Sequence, residues 1–218
     1  MKVRVITPIR VGAEEVRRRQ ERYDRLAPAG WEIHVEDLPD GPDSPRELGN
    51  RDQIAASERI GLAAGRETDP ERFDALLPDC VLDPSLRDLD AASPVPVLGI
   101  TRLSAHLLAA LGIRFGVVTR NETIAEEYRA VMERYGLGEA FQGAYVLGLS
   151  VEDISDHATW NEAVIDAARR AHSEGVTVLV NGCSAVEVVF DELDVRVVDP
   201  TALALRTAAF STSEQLAG

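Results

Sequence analysis

Scarcity marks this sequence before any motif does. Its 218 residues include two cysteines, two tryptophans and a single lysine, Lys2, and the net charge is −14. Two cysteines in a chain this long make no disulfide framework, and a reducing compartment keeps them as thiols. No apolar stretch approaches the roughly 18 residues that a membrane helix needs. The excess of acid repels phosphates and anionic lipid, which argues against nucleic acid and membranes as partners. There is no G-x-G-x-x-G and no phosphate loop, so no nucleotide cofactor is indicated. The four histidines (His34, His106, His157, His172) are scattered. None has metal-ligand spacing with a cysteine, so no metal is expected. The opening MKVRVITP reads as a strand and leaves no room for a signal peptide, so the expected setting is the cytoplasm.

What is there is an alternation of apolar runs and amphipathic stretches. Strands are expected at 2–7, 31–36, 73–81 (FDALLPDCV), 94–100 (PVPVLGI), 113–119, 144–149 (AYVLGL), 176–181 and 195–198. Helices are expected at 12–27, 46–65, 102–111, 121–135, 157–173 and 200–215. The run RRRQER (17–22) has acidic partners at i,i+4 (Glu14–Arg18, Glu15–Arg19, Glu21–Arg25), which predicts a solvated, salt-bridged face. Uniformly apolar strands between helices predict an α/β fold of parallel sheets covered on both faces. KVRVITP (2–8) echoes IRFGVVTR (113–120), with Thr7 matching Thr119 at an offset of 112. Cys80 and Cys183, 103 apart, each follow a hydrophobic strand. The echoes predict two pseudo-symmetric lobes with an active-site cleft between them: 1–95 with a returning C-terminal helix at about 205–218, carrying Cys80, and 96–204, carrying Cys183. The Pro-rich ASPVPV (92–97) is the expected boundary.

The two cysteines are either unremarkable core thiols or one active site built from two halves of the chain. Strand ends of this kind are where ligands bind in open α/β sheets. Two thiols suit proton transfer at a carbon acid: one, as thiolate, removes a proton from one face, and the other returns a proton to the opposite face. A free thiol has a pKa of about 8.5, so one must be held as thiolate. The N–H groups of Val81, Leu82, Ser184 and Ala185, at the start of a following helix, could do so or could hold a developing enolate. Asp79 would oppose thiolate formation if it faced the pocket, but strand alternation sends it to the other side from Cys80. Asp83 is open to two readings, a general base or an N-cap with Pro84 at N1. The cap is preferred, as it is for Asp199-Pro200.

FDALLPDCVLDPSLRDLDAASPVPVLGITRLSAHLLAALGIRFGVVT resembles the core of the Asp/Glu racemase superfamily, most of all its hydantoin racemase branch. CVLDPSL, PVLGI and LGIRFGVVT stand in that branch's order and spacing, NGCSAV resembles its second cysteine motif, and GPDSPRE (41–47) sits where Gly-Pro-x-Ser is frequent. The resemblance covers nearly the whole chain. It implies a two-base racemase or epimerase with no cofactor and with Cys80 and Cys183 as the catalytic pair. Thr7, Pro8, Arg10, Val81, Leu82, Arg102, Thr119, Ser184 and Ala185 are the residues expected around a small-molecule substrate. That substrate would be a hydantoin, an amino acid or a related carboxylate, and a homo-oligomer is expected.

The chain also departs from the pattern. Thr7-Pro8-Ile9-Arg10-Val11 stands where the family has Asn-Pro-Asn-Thr-Ser. Thr101-Arg102-Leu103 replaces x-Glu-Ala, Val81-Leu82 replaces Phe-Gly, and Ser85 replaces a glycine. Arg10 or Arg102 is therefore either a partner for a substrate carboxylate or a surface arginine. Two rival readings stay open. One is maleate isomerase or arylmalonate decarboxylase chemistry on the same fold, although the decarboxylase keeps only the second cysteine. The other is a non-catalytic, ligand-binding or redox-responsive protein.

Overall fold

Val3, Val5, Leu76 and Leu77 are almost wholly buried, and around them forms the first of two compact units, Met1–Leu103 together with the chain from Ala204. The second unit is Ser104–Leu203. The computed structural model describes residues 1–188 and 194–212. Residues 213–215 of the expected last helix lie outside them.

In the first unit, β1 (Lys2–Ile6) leads into α1 (Ala13–Leu26), β2 (Glu32–Glu36), α2 (Arg51–Arg66), β3 (Ala75–Pro78), the short α3 (Leu86–Ala92) and the start of α4 (Ile100–Ala110). The sheet is parallel, in the order β2-β1-β3. Alternation puts Val3 and Val5 on one face and Arg4 on the other. Arg4 is satisfied there: it donates to Glu36 at 2.7 Å and to the Ala64 carbonyl, near the end of α2, at 2.8 Å. So β1 is not uniformly apolar as the sequence predicts. The second unit contains β4 (Phe115–Thr119), α5 (Glu122–Arg134), β5 (Phe141–Val146), α6 (His157–Ser173), β6 (Val178–Asn181), β7 (Arg196–Val198) and the first turn of α7 (Pro200–Thr212). Its sheet is parallel too, in the order β5-β4-β6-β7. Trp160, Val164 and Ala167 of α6 pack with Val118 and Leu179 to form its core. Burial of each large apolar side chain contributes about 1.5–3 kcal/mol.

The fold is thus α/β, with two mainly parallel sheets flanked by helices. Three expectations change. The division falls after Leu103, inside α4, and not at residue 95. ASPVPV lies within the first unit and not at its boundary: Val95 and Val97 are buried and Leu76 bonds to Pro96 and Leu98 across the β3 edge. Pro94 and Pro96 lack N–H groups, so only a single bridge, Leu76 to Val97, forms where PVPVLGI reads as a strand. Finally, Arg19 and Arg22 of RRRQER are buried rather than solvated. Among the described residues, no helix is long and apolar enough to cross a membrane.

Candidate active site

The two sheets are built alike where their strands end. In the first, Asp79 N–H continues the β3 ladder onto the Ile6 carbonyl at 2.9 Å. In the second, Gly182 N–H does the same from β6 onto the Val118 carbonyl at 2.9 Å. The next residue in each case is a cysteine. Ile6 and Val118 are in turn followed by the matched threonines. Each unit therefore brings one thiol and one buried threonine to the carboxyl edge of its own central strands.

Cys80 is 7% exposed. Its N–H bonds to the Pro78 carbonyl at 2.8 Å, its carbonyl accepts from Asp83 N–H at 3.2 Å, and its sulfur accepts from Leu82 N–H at 3.5 Å. That last contact is the kind that favours a thiolate. Its source corrects the sequence reading, because Val81 and Leu82 lie in a turn and α3 begins only at Leu86. A turn amide, not a helix N-terminus, faces the sulfur. Asp83 also acts differently from expectation. It takes φ 48°, and its carboxylate accepts from Thr101 N–H at 3.1 Å and Arg102 N–H at 2.6 Å, so it caps α4 and not α3. Thr101 Oγ1 closes this turn on the Val81 carbonyl at 2.5 Å. Asp199 caps α7 as the sequence predicts, accepting from Thr201 and Ala202 N–H.

Cys183 is half-buried, in a turn with Ser184 and Ala185 that is not helical. Asn181 braces that turn, its Nδ2 donating to the Cys183 carbonyl at 3.1 Å and the Val186 carbonyl at 2.8 Å. The bracing was invisible in the sequence, where Asn181 reads as the last residue of a strand. Gly182 makes the turn possible. A Cβ there would collide with the Val118 carbonyl oxygen and press on Val117 Cγ2 at 3.1 Å.

Both threonine hydroxyls bond within the chain. Thr7 Oγ1 lies 2.9 Å from the Ile9 carbonyl and 3.1 Å from Asp37, and accepts Leu38 N–H at 2.9 Å. Thr119 Oγ1 meets the Asn121 carbonyl at 3.4 Å. Asp37 is a residue the sequence reading missed. It accepts Val11 and Gly12 N–H at 2.9 and 2.8 Å, ahead of α1, and pairs with Arg10 Nε at 3.4 Å. Arg10 also reaches the Leu38 carbonyl at 3.1 Å and Asp40 at 3.6 Å. Arg102 pairs with Asp90 at 2.5 Å and the Val97 carbonyl. Both arginines already hold carboxylates of the chain itself. Pro8 lines a small apolar pocket with Ile6, Leu38, Pro78 and Pro84.

The Asp79 side chain is turned to α1. It is fully buried against α1, where Arg19 and Tyr23 bind its carboxylate. Desolvation, then the Asp79 charge, push the Tyr23 hydroxyl well above the usual range, so it remains a donor. Among the described residues, no group of three or more His, Cys, Asp or Glu side chains could hold a metal.

The model of the Asp/Glu/Hydantoin racemase family matches residues 3–208. No curated protein sequence matches the chain. Among solved structures, an allantoin racemase from Klebsiella pneumoniae superposes with a TM-score of 0.79 at 20% identity, covering 97% of this chain and 87% of that one. The allantoin racemase of Pseudomonas fluorescens gives 0.81 at 20% identity, over 97% and 91%. An unliganded arylmalonate decarboxylase gives 0.61 at 16% identity, over 100% and 92%. At these identities the structural likeness speaks for the fold.

Proposed function

This chain belongs to the Asp/Glu/hydantoin racemase family and is an isomerase, and from that premise we propose a cofactor-independent racemisation or epimerisation, carried by Cys80 and Cys183, at a carbon next to a carbonyl. The observation that supports it is the equivalence of the two thiols. Each stands one residue beyond the last ladder bond between its own strand and a neighbouring strand that a threonine closes or follows.

The proposed step balances on the two sulfurs. A thiolate takes the proton of the stereocentre, and the C–H electron pair moves into the adjacent carbonyl as an enolate. The thiol of the second cysteine then protonates the same carbon from the other face and becomes the thiolate. The product is the opposite enantiomer, and the thiols re-equilibrate through solvent. The Leu82 N–H at Cys80 favours the charged sulfur. Ser184 and Ala185 N–H groups are the donors proposed for the enolate oxygen. Positioned acid–base transfer contributes about 10²–10⁴-fold.

The proposed substrate is a 5-substituted hydantoin, with allantoin the first to test. Arg10 and Arg102, the arginines considered for a free carboxylate, are both held by aspartates of the chain. That favours a neutral ring over an amino acid. The experiment is incubation of enantiopure allantoin and 5-benzylhydantoin in D₂O, followed by NMR and polarimetry. The parent should exchange the C5 proton and lose rotation. Cys80→Ser and Cys183→Ser should each racemise about 10²-fold more slowly or worse. Parent-rate racemisation by either variant overturns the scheme. Fumarate from maleate, or CO₂ from an arylmalonate, would move the assignment to the rival chemistries.

A further inference from the structure

Asp79 has no part in the proposed proton transfers, yet it is firmly held beside Cys80. Its N–H is bonded to the Ile6 carbonyl and its side chain is 0% exposed. Arg19 Nη1 binds Oδ2, and the Tyr23 hydroxyl donates to Oδ1 at 2.8 Å. Arg19 is itself oriented by Glu15, which accepts from its Nε at 2.9 Å. A buried carboxylate is costly unless it is paired and hydrogen-bonded, and a small apolar residue would fill such a site at less expense. Its counterpart in the second unit, Gly182, has no side chain at all. The two thiols therefore sit on equivalent edges with unlike neighbours.

We propose that Asp79 is a positioning residue for Cys80: the link to Arg19 and Tyr23 locks the peptide that carries the thiol, and Arg19 cancels a carboxylate charge that would otherwise oppose the thiolate. The inference rests on the reading of Cys80 as a catalytic thiol. Consecutive Cα atoms are about 3.8 Å apart, so an unbalanced charge on Asp79 acts on the neighbouring sulfur at short range through protein. Other groups flank the same stretch. On the α1 side are Glu15, Arg18, Arg19, Arg22 and Tyr23. On the α4 side are Asp83, which caps that helix, and Arg102 with its partner Asp90. The Arg19–Asp79 ion pair is anchored on the residue directly before the cysteine.

The test is the pH profile of Cys80 alkylation by iodoacetamide, read by peptide mapping so that Cys183 is scored separately. It needs no substrate, so its failure is distinct from failure of the racemisation assay. Arg19→Gln leaves Asp79 uncompensated and should raise the Cys80 midpoint by about one pH unit. Asp79→Asn, nearly isosteric and able to keep the Tyr23 bond, leaves Arg19 balanced by Glu15 alone and should lower the midpoint. The double variant should return to within about 0.3 unit of the parent, and Cys183 should not move in any of them. A purely structural role would change melting temperature without opposite, cancelling shifts. If Arg19→Gln fails to fold, Asp79→Asn decides alone, and an unchanged or raised midpoint in that variant overturns the proposal.

Discussion

At Gly182 a single hydrogen atom decides whether the Cys183 turn exists. Any Cβ would collide with the Val118 carbonyl, which is the acceptor of Gly182's own ladder bond. The obstacle is backbone in the central strand of a sheet, so it cannot swing aside as a flexible side chain would. Gly182→Ala should therefore cost about 3 kcal/mol or more, the upper range for overpacking a buried site. The urea midpoint measures this, and an unchanged midpoint would show that the strand yields. Asn181, one residue earlier, holds the same turn from within through its two bonds to carbonyls. In the sequence, NGC was legible as a cysteine context, but the reasons for its Asn and its Gly were not. Both depend on which carbonyls come close once the sheet has formed.

Two identical dipeptides show what local reading of elements can and cannot do. Asp199-Pro200 starts α7, with the aspartate accepting from N–H groups two and three residues on. Asp83-Pro84 looks the same, yet its aspartate takes a left-handed conformation and caps α4, 18 and 19 residues away. Gly99 permits that approach, since a Cβ there would sit 2.9 Å from Asp83 Oδ2 and 2.5 Å from Leu86 Cδ2. The glycine of PVLGI is thus explained by a cap seated at a distance. Asp83→Ala should destabilise by about 1–2 kcal/mol, and Asp83→Asn by less, because the amide oxygen can still accept one of the two N–H groups although the amide nitrogen cannot accept the other. Urea denaturation of the two variants checks the difference. If they are equally destabilised, the cap is not what Asp83 contributes. The apolar runs 2–7, 31–36, 113–119 and 176–181 all became strands near their expected bounds, since buried parallel strands announce themselves by composition. AYVLGL shifted to Phe141–Val146 because Gly148, at φ 71°, turns the chain out of the ladder. The RRRQER helix was legible as a helix but not in its orientation: Arg19 is buried for the sake of Asp79, 60 residues away.

On the scale of the whole molecule, the sequence carried its duplicated plan in two offsets, 112 for the threonines and 103 for the cysteines. The sheet orders make them intelligible. β2-β1-β3 and β5-β4-β6 are the same arrangement, with threonine closing or following the central strand and cysteine following the third. Offsets differ because the loops between equivalent strands differ in length, while the strand ends stay equivalent. If each unit contributes one base to one stereocentre, the proposed reaction divides into two halves, each owned by one sulfur. A planar enolate has two faces, and a proton removed from one face by a given sulfur identifies one enantiomer. Replacing one cysteine by alanine leaves a single base that can remove and return a proton on its own face only. Cys80→Ala should thus exchange the C5 proton of one hydantoin enantiomer with D₂O and leave its configuration intact, while Cys183→Ala does the same for the opposite enantiomer. Chiral chromatography coupled to mass spectrometry separates deuteration from inversion in each sample. Exchange of the same enantiomer by both variants would assign the two thiols to one face, and inversion without deuteration would point to a route that bypasses solvent-exchangeable thiols altogether.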